Sequence, residues 1–109
     1  MDDIDPYTLI NEQSKKWNAH GVSLVESSKL DEALNSFEKA IDCDSSNFKA
    51  YKNMSIIYTK LNKNNYAAYH LNKSKESLKK LEQSINSRNS SFIDNNIKNA
   101  QKSSDYDKK

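Results

Sequence analysis

Few side chains in this chain could carry covalent or metal chemistry: His20, His70 and the single cysteine Cys43. Nucleophilic catalysis needs a thiol or hydroxyl beside a base, and a metal site needs several ligands converging. His20 and His70 fall on different helical segments, and Cys43 stands near a helix end with no histidine at sequence-evident proximity. His20 lies within an apolar packing pattern and His70 is expected at the surface, so both read as structural. One glycine in 109 residues leaves no glycine-rich loop to cradle a phosphate. The expectation is a protein that is not an enzyme, with no catalytic residue, cofactor or metal. With one cysteine, no intrachain disulfide can form, which accords with a reducing compartment.

What remains is the chemistry of lysine ammonium and asparagine amide groups. The net charge is only +2, but it is unevenly spread: residues 1–69 hold 8 Lys against 10 acids, and residues 70–109 hold 9 Lys and Arg against 5 acids. Lys73, Lys75, Lys79, Lys80 and Arg88 form a basic stripe that could attract phosphates. Aromatic readers are sparse beyond Tyr69, and Glu76 and Glu82 dilute the stripe, so it reads as a solvated helix face and nucleic acid as an unlikely partner. The Met1-Asp2-Asp3-Ile4-Asp5-Pro6 start is acidic where a secretory signal would be basic and then apolar, and no apolar run approaches a membrane span. A soluble, cytoplasmic chain without membrane contact is expected.

The elements that position these groups are helices. One Gly and one Pro supply little turn chemistry for a sheet. Asp5-Pro6 reads as an N-cap with proline in the first turn, and Ile10, Trp17, Leu24 and Val25 recur at helical spacing, predicting a first helix over about Pro6 to Glu26. Ser27-Ser28-Lys29 breaks it. A second helix carries Leu30, Ala33, Leu34, Phe37, Ala40 and Ile41 on one stripe and ends near Asp42 to Asp44. After the turn Ser45-Ser46-Asn47, a third helix over Phe48 to Lys60 presents Tyr51, Met54, Ile57, Tyr58 and Leu61. A fourth starts near Tyr66 with the seam Ala67, Leu71, Ser74, Leu78, Leu81 and Ile85, and meets its first stop signal at Ser87 to Ser91. Phe92, Ile93 and Ile97 allow one or two weak turns before a disordered Lys102–Lys109 tail.

The chain resembles itself at an offset of 34 residues. Trp17 maps to Tyr51, Gly21 to Ser55, Leu24 to Tyr58, Ala33 to Ala67, Phe37 to Leu71 and Ala40 to Ser74, each pair keeping its size class. The pattern Trp17-x-x-His20-Gly21-x-x-Leu24 then Ala33-x-x-x-Phe37-x-x-Ala40, repeated from Tyr51 to Ser74, resembles the tetratricopeptide repeat (TPR) family. The resemblance covers residues 14 to about 81. It implies an all-α fold of antiparallel helix-turn-helix repeats in a TPR-like superhelix. Residues 1–13 extend the first helix, 14–47 and 48–81 are the two repeats, and 82–109 form a capping helix extension and disordered tail. Gly21 is expected in mid-helix, facing Ala33 at a close helix approach. The proline that the family carries after its second helix is Ser45 in the first copy and Lys79 in the second. Two repeats are fewer than a stable stack needs, so a flanking helix must cap them or Leu78, Leu81 and Ile85 must mediate self-association.

The resemblance also implies a partner-binding groove lined by the first helix of each repeat: Lys15, Asn18, Ala19, Val22 and Glu26, then Lys49, Lys52, Asn53, Ile56 and Lys60. Such a basic, amide-lined surface favours an acidic peptide or protein segment, as an adaptor would bind. A chaperone co-factor role is the alternative within the family, since part of it clamps acidic C-termini. Here the clamp positions hold Asn18, Val22 and Asn53, with Gln83 and Ser87 where later basic groups would stand, a weak match.

Overall fold

The N-terminal segment departs from the expected single helix. In the computed structural model, which describes the backbone of residues 4–107 and the side chains of residues 4–87, Pro6–Leu9 form a separate 3-10 turn. Asp5 caps it, accepting from the Tyr7 N–H at 3.0 Å. Ile10 is then extended, and Asn11 starts a new helix by accepting from the N–H groups of Gln13 at 2.8 Å and Ser14 at 3.2 Å. Two interactions stabilise this break: Ile10 is 3 % exposed, and the Asn11 N–H donates to Asp44 Oδ2 at 2.9 Å. A continuous helix would forfeit both.

Beyond the turn lie four α-helices: α1 (Glu12–Glu26), α2 (Leu30–Cys43), α3 (Phe48–Lys60) and α4 (Asn64–Asp107). The described residues contain no strand, so the fold is all-α as expected. Helices α1 and α2 pack as one antiparallel hairpin, α3 and α4 as a second, and α2 lies against α3.

The two hairpins turn in the same way. Ser28 and Asn62, 34 residues apart, are the two non-glycine residues with left-handed backbones, at φ 62° and 61°. At each, the next N–H reaches back over a full turn: Lys29 to Leu24 O and Lys63 to Tyr58 O, both 2.8 Å. The companion bonds, Ser28 to Val25 O at 2.9 Å and Asn62 to Thr59 O at 3.0 Å, complete a Schellman motif in each turn. The repeat is therefore a repeat of backbone geometry as well as of residue size.

The core runs between α2 and α3, where Ala33, Phe37, Ala40, Ala50, Met54 and Ile57 are at most 2 % exposed, with Trp17, Leu24, Val25, Leu30, Leu34, Ile41 and Tyr58 packed around them. Gly21 is in mid-helix, as its neighbours' spacing predicts. Its nearest opposing group is the Phe37 ring: a Cβ at Gly21 would overlap that ring, with Cδ1 and Cζ at 2.7 Å. The close approach is thus glycine against aromatic, and Ala33 is not the nearest contact.

Hydrogen bonds tie each hairpin at corresponding positions with the roles exchanged. In the first, Ser14 Oγ donates to Ala40 O at 2.6 Å; in the second, Ser74 Oγ donates to Phe48 O at 2.7 Å. Asn47, fully buried, adds a third partner in the first case, donating from Nδ2 to Ser14 Oγ at 2.9 Å while its Oδ1 caps α3 by accepting from Ala50 N.

Helix α4 continues through Ser87–Ser91 to Asp107, past the expected stop and through residues 102–107 of the segment expected to be disordered. Residues 64–109 contain no Pro or Gly, and Ser and Asn cost a helix only a few tenths of a kcal/mol each relative to Ala, so no residue there terminates it. The side chains of Phe92, Ile93 and Ile97, and residues 108–109, lie outside the described set. Within it, Ile85 is 6 % exposed, and α4 also packs against the 3-10 turn.

Candidate functional site

Helix α4 forms one wall of a cleft whose other wall is α3, with α1 beside it. The cleft has a volume of about 620 Å³ and is lined by Asn18 and Val22 of α1, by Phe48, Lys49, Lys52, Asn53 and Ile56 of α3, and by Leu71, Ser74, Lys75 and Leu78 of α4. Val22, Ile56 and Leu71 are 38 %, 44 % and 37 % exposed, so this is apolar surface left uncovered by the fold. Lys49, Lys52 and Lys75 are exposed around it.

Of the groove residues expected from sequence, Asn18, Val22, Lys49, Lys52, Asn53 and Ile56 converge on this cleft. Lys15, Glu26 and Lys60 do not. Lys15 pairs with Glu12 at 3.0 Å and leans over the Tyr7 ring, while Glu26 and Lys60 are exposed at the C-terminal ends of α1 and α3. Ala19 is exposed outside the lining. The amides are also less available than expected, because Asn53 Nδ2 donates to Asn18 Oδ1 at 3.0 Å and Asn18 is 8 % exposed. The cleft is therefore an apolar floor with a lysine rim. Phe48, Leu71, Ser74, Lys75 and Leu78 are cleft residues that the groove reading does not include, although Lys75 belongs to the basic stripe and Leu78 to the self-association set. The signal for three of them was the four-three spacing of the α4 seam, which reads equally as a buried face.

The 3-10 turn closes one end. The Tyr7 ring meets Phe48 edge-on at 5.7 Å between centroids, and Lys49 Nζ lies 4.2 Å from the Tyr7 centroid. Burial raises the Tyr7 pKa, more than the nearby Asn47 and Asn18 amides and the Lys15 charge lower it. A lysine over a tyrosine face is worth about 0.5–2 kcal/mol, so Lys49 is held at the cleft end.

Other candidate surfaces are dispersed. In the basic stripe, Lys75 lines the cleft, Lys73 approaches Glu76 at 4.0 Å, and Lys80 shares a separate depression with Tyr51 and Glu76. Lys79 is exposed, and the side chain of Arg88 lies outside the described residues. The proposed self-association set is divided likewise: Leu78 lines the cleft, Leu81 is half-buried and Ile85 is buried within the chain.

The histidines exchange their expected places. His20 is exposed, edge-on to Trp17, while His70 is half-buried among Tyr51, Tyr58 and Tyr69 with Nδ1 2.8 Å from Tyr66 O. The inward turn of His70 arises from its position beside the partly buried Tyr58 on the packed side of α3. Cys43 is exposed at the end of α2. Among the described residues no group of His, Cys, Asp and Glu could hold a metal ion, and no helix is long and apolar enough to cross a membrane.

Comparison with protein-family models, curated proteins and solved structures finds no match to this chain.

Proposed function

We propose that this chain is a two-repeat, TPR-type adaptor that binds an acidic, partly apolar segment of another protein in the α3–α4 cleft. The observation that carries the reading is the convergence of Val22, Ile56 and Leu71, each more than a third exposed, on one cleft rimmed by Lys49, Lys52 and Lys75. Apolar side chains at a concave site gain by leaving water, and the ammonium groups select carboxylates and set the rate of encounter. The family assignment is supported by the 34-residue register of the residue pattern and of the two Schellman turns. The free, exposed thiol of Cys43 suits a reducing compartment such as the cytoplasm.

The test is fluorescence anisotropy with three labelled peptides of equal length, rich in Glu and Leu, in Lys and Leu, or in Glu and Ser. Only the first should bind well, with an affinity that falls as salt is raised. The Lys49→Glu/Lys52→Glu protein should lose that binding while keeping its helical circular dichroism. Equal binding of the Lys/Leu peptide, or binding indifferent to the double reversal, refutes an acidic ligand in this cleft.

A further inference from the structure

We infer that the occupant of the cleft is an α-helix, seated against α3 and α4 as α3 is seated against α1 and α2. The inference rests on reading the cleft as a docking site, and it comes from comparing the chain with itself. On α2, Phe37 and Ala40 are 0 % exposed, sharing one core with Ala50, Met54 and Ile57 of α3. Their counterparts 34 residues on, Leu71 and Ser74 of α4, line the cleft, and Leu71 is 37 % exposed. The two repeats differ in the helix that comes next. Helix α3 returns over α2, whereas α4 runs on as one helix to Asp107, and no further described helix returns over its Leu71 face. The notch that received a helix in the first repeat is open in the second.

The same comparison specifies the guest's chemistry. Between α1 and α3, Asn53 donates to Asn18. One repeat later, Lys52 stands in the place of Asn18, so the guest residue in the place of Asn53 should be a carboxylate. Where α3 lays Met54 and Ile57 against the α2 stripe, the guest should carry apolar residues to meet Leu71 and Leu78. In the place of fully buried Ala50 it should carry a small residue. The guest pattern is small-x-x-acidic-apolar-x-x-apolar on one helical face. Lys49, Lys52 and Lys75 also disfavour a second copy of this chain docking face to face, since the three ammonium groups would meet their equivalents. The occupant is an acidic amphipathic helix of another protein.

The probe is a synthetic helical peptide with Ala, Glu, Met and Ile at the places of Ala50, Asn53, Met54 and Ile57 and Glu or Gln elsewhere, titrated into the full chain and read by amide chemical shifts. It should perturb Ile56, Leu71, Ser74 and Leu78. A variant with a central proline, unable to hold that helix, should bind at least about tenfold more weakly. A peptide with Lys for the Asn53-place Glu should bind weakly to the natural chain and regain binding to Lys52→Glu. Equal binding by the proline variant overturns the helical occupant while leaving an acidic docking site intact. Perturbations confined to other faces, or unaffected by Leu71→Glu, overturn the notch as the seat. If neither this peptide nor the Glu/Leu peptide binds, the docking reading itself falls.

Discussion

Removing one oxygen, by Ser14→Ala, should cost far more than a surface substitution. Ser14 is fully buried, donates to Ala40 O at 2.6 Å and accepts from Asn47 Nδ2 at 2.9 Å. Ala40 O keeps its helical donor, Asp44 N, so it loses only a second partner. Asn47 Nδ2 is left with the Tyr7 side chain and a long contact to Ser14 O at 3.5 Å, inside a fully buried site. Stranding a buried donor costs about 1–3 kcal/mol and losing the other bond about 0.5–1.5 kcal/mol, offset by about 0.5 kcal/mol from the better helix propensity of Ala. The net loss should be about 1–4 kcal/mol, set against the roughly 5–15 kcal/mol that stabilises a domain.

Urea denaturation followed by helical circular dichroism measures it, as a lower midpoint at constant slope. Ser74→Ala is the internal control, because its hydroxyl makes one bond, to Phe48 O, and after the same helix-propensity offset it should cost at most about 1 kcal/mol. Ser14→Ala combined with Asn47→Ala should cost less than the sum of the two. A loss below about 0.5 kcal/mol for Ser14→Ala, or strict additivity with Asn47→Ala, would refute the buried network as a source of stability.

Three further outcomes are expected. Gly21→Ala should lower the urea midpoint despite a helix-propensity gain of about 1 kcal/mol, because the new Cβ meets the fully buried Phe37 ring and overpacking costs about 1–3 kcal/mol; a higher midpoint would contradict the close approach. Ser28→Gly and Asn62→Gly should each raise the midpoint by relieving a left-handed backbone at φ near 60°, and unchanged or lower midpoints would show the turns unstrained. Burial raises the pKa of Tyr7, Tyr51 and Tyr58, so their contribution to stability is complete below the ordinary tyrosine value of about 10 and is lost as pH rises through the higher folded values. Tyrosinate absorbance and helix loss should therefore rise together on alkaline titration, and Tyr→Phe variants should flatten the dependence.

How much of this was legible in the residues differs element by element. Helix α3 is bounded at Phe48 and Lys60 as its apolar spacing and the Ser45-Ser46-Asn47 turn predict, since both signals are local. The α2 stripe is likewise buried at Ala33, Phe37 and Ala40. The break before α1 was missed because proline and apolar periodicity carried the pattern across it. What holds Asn11 as the cap of α1 includes its N–H bond to Asp44, 33 residues away, which no local spacing shows. The α3 wall of the cleft was readable through the repeat, while the α4 wall was not, because a stripe of Leu71, Ser74 and Leu78 looks the same whether or not another helix covers it.

By itself, then, the sequence determined an all-helical chain of two hairpins in a 34-residue register, because helix spacing, caps and turn residues act over a few positions and repeat visibly. Tertiary structure alone decided which polar groups remain available and which apolar ones remain exposed. Asn53 donates to Asn18, Lys15 is drawn to Glu12 and Tyr7, and Leu71 is left open because no described helix returns over α4. Availability is a property of what each group meets in space, and those neighbours come from distant parts of the chain.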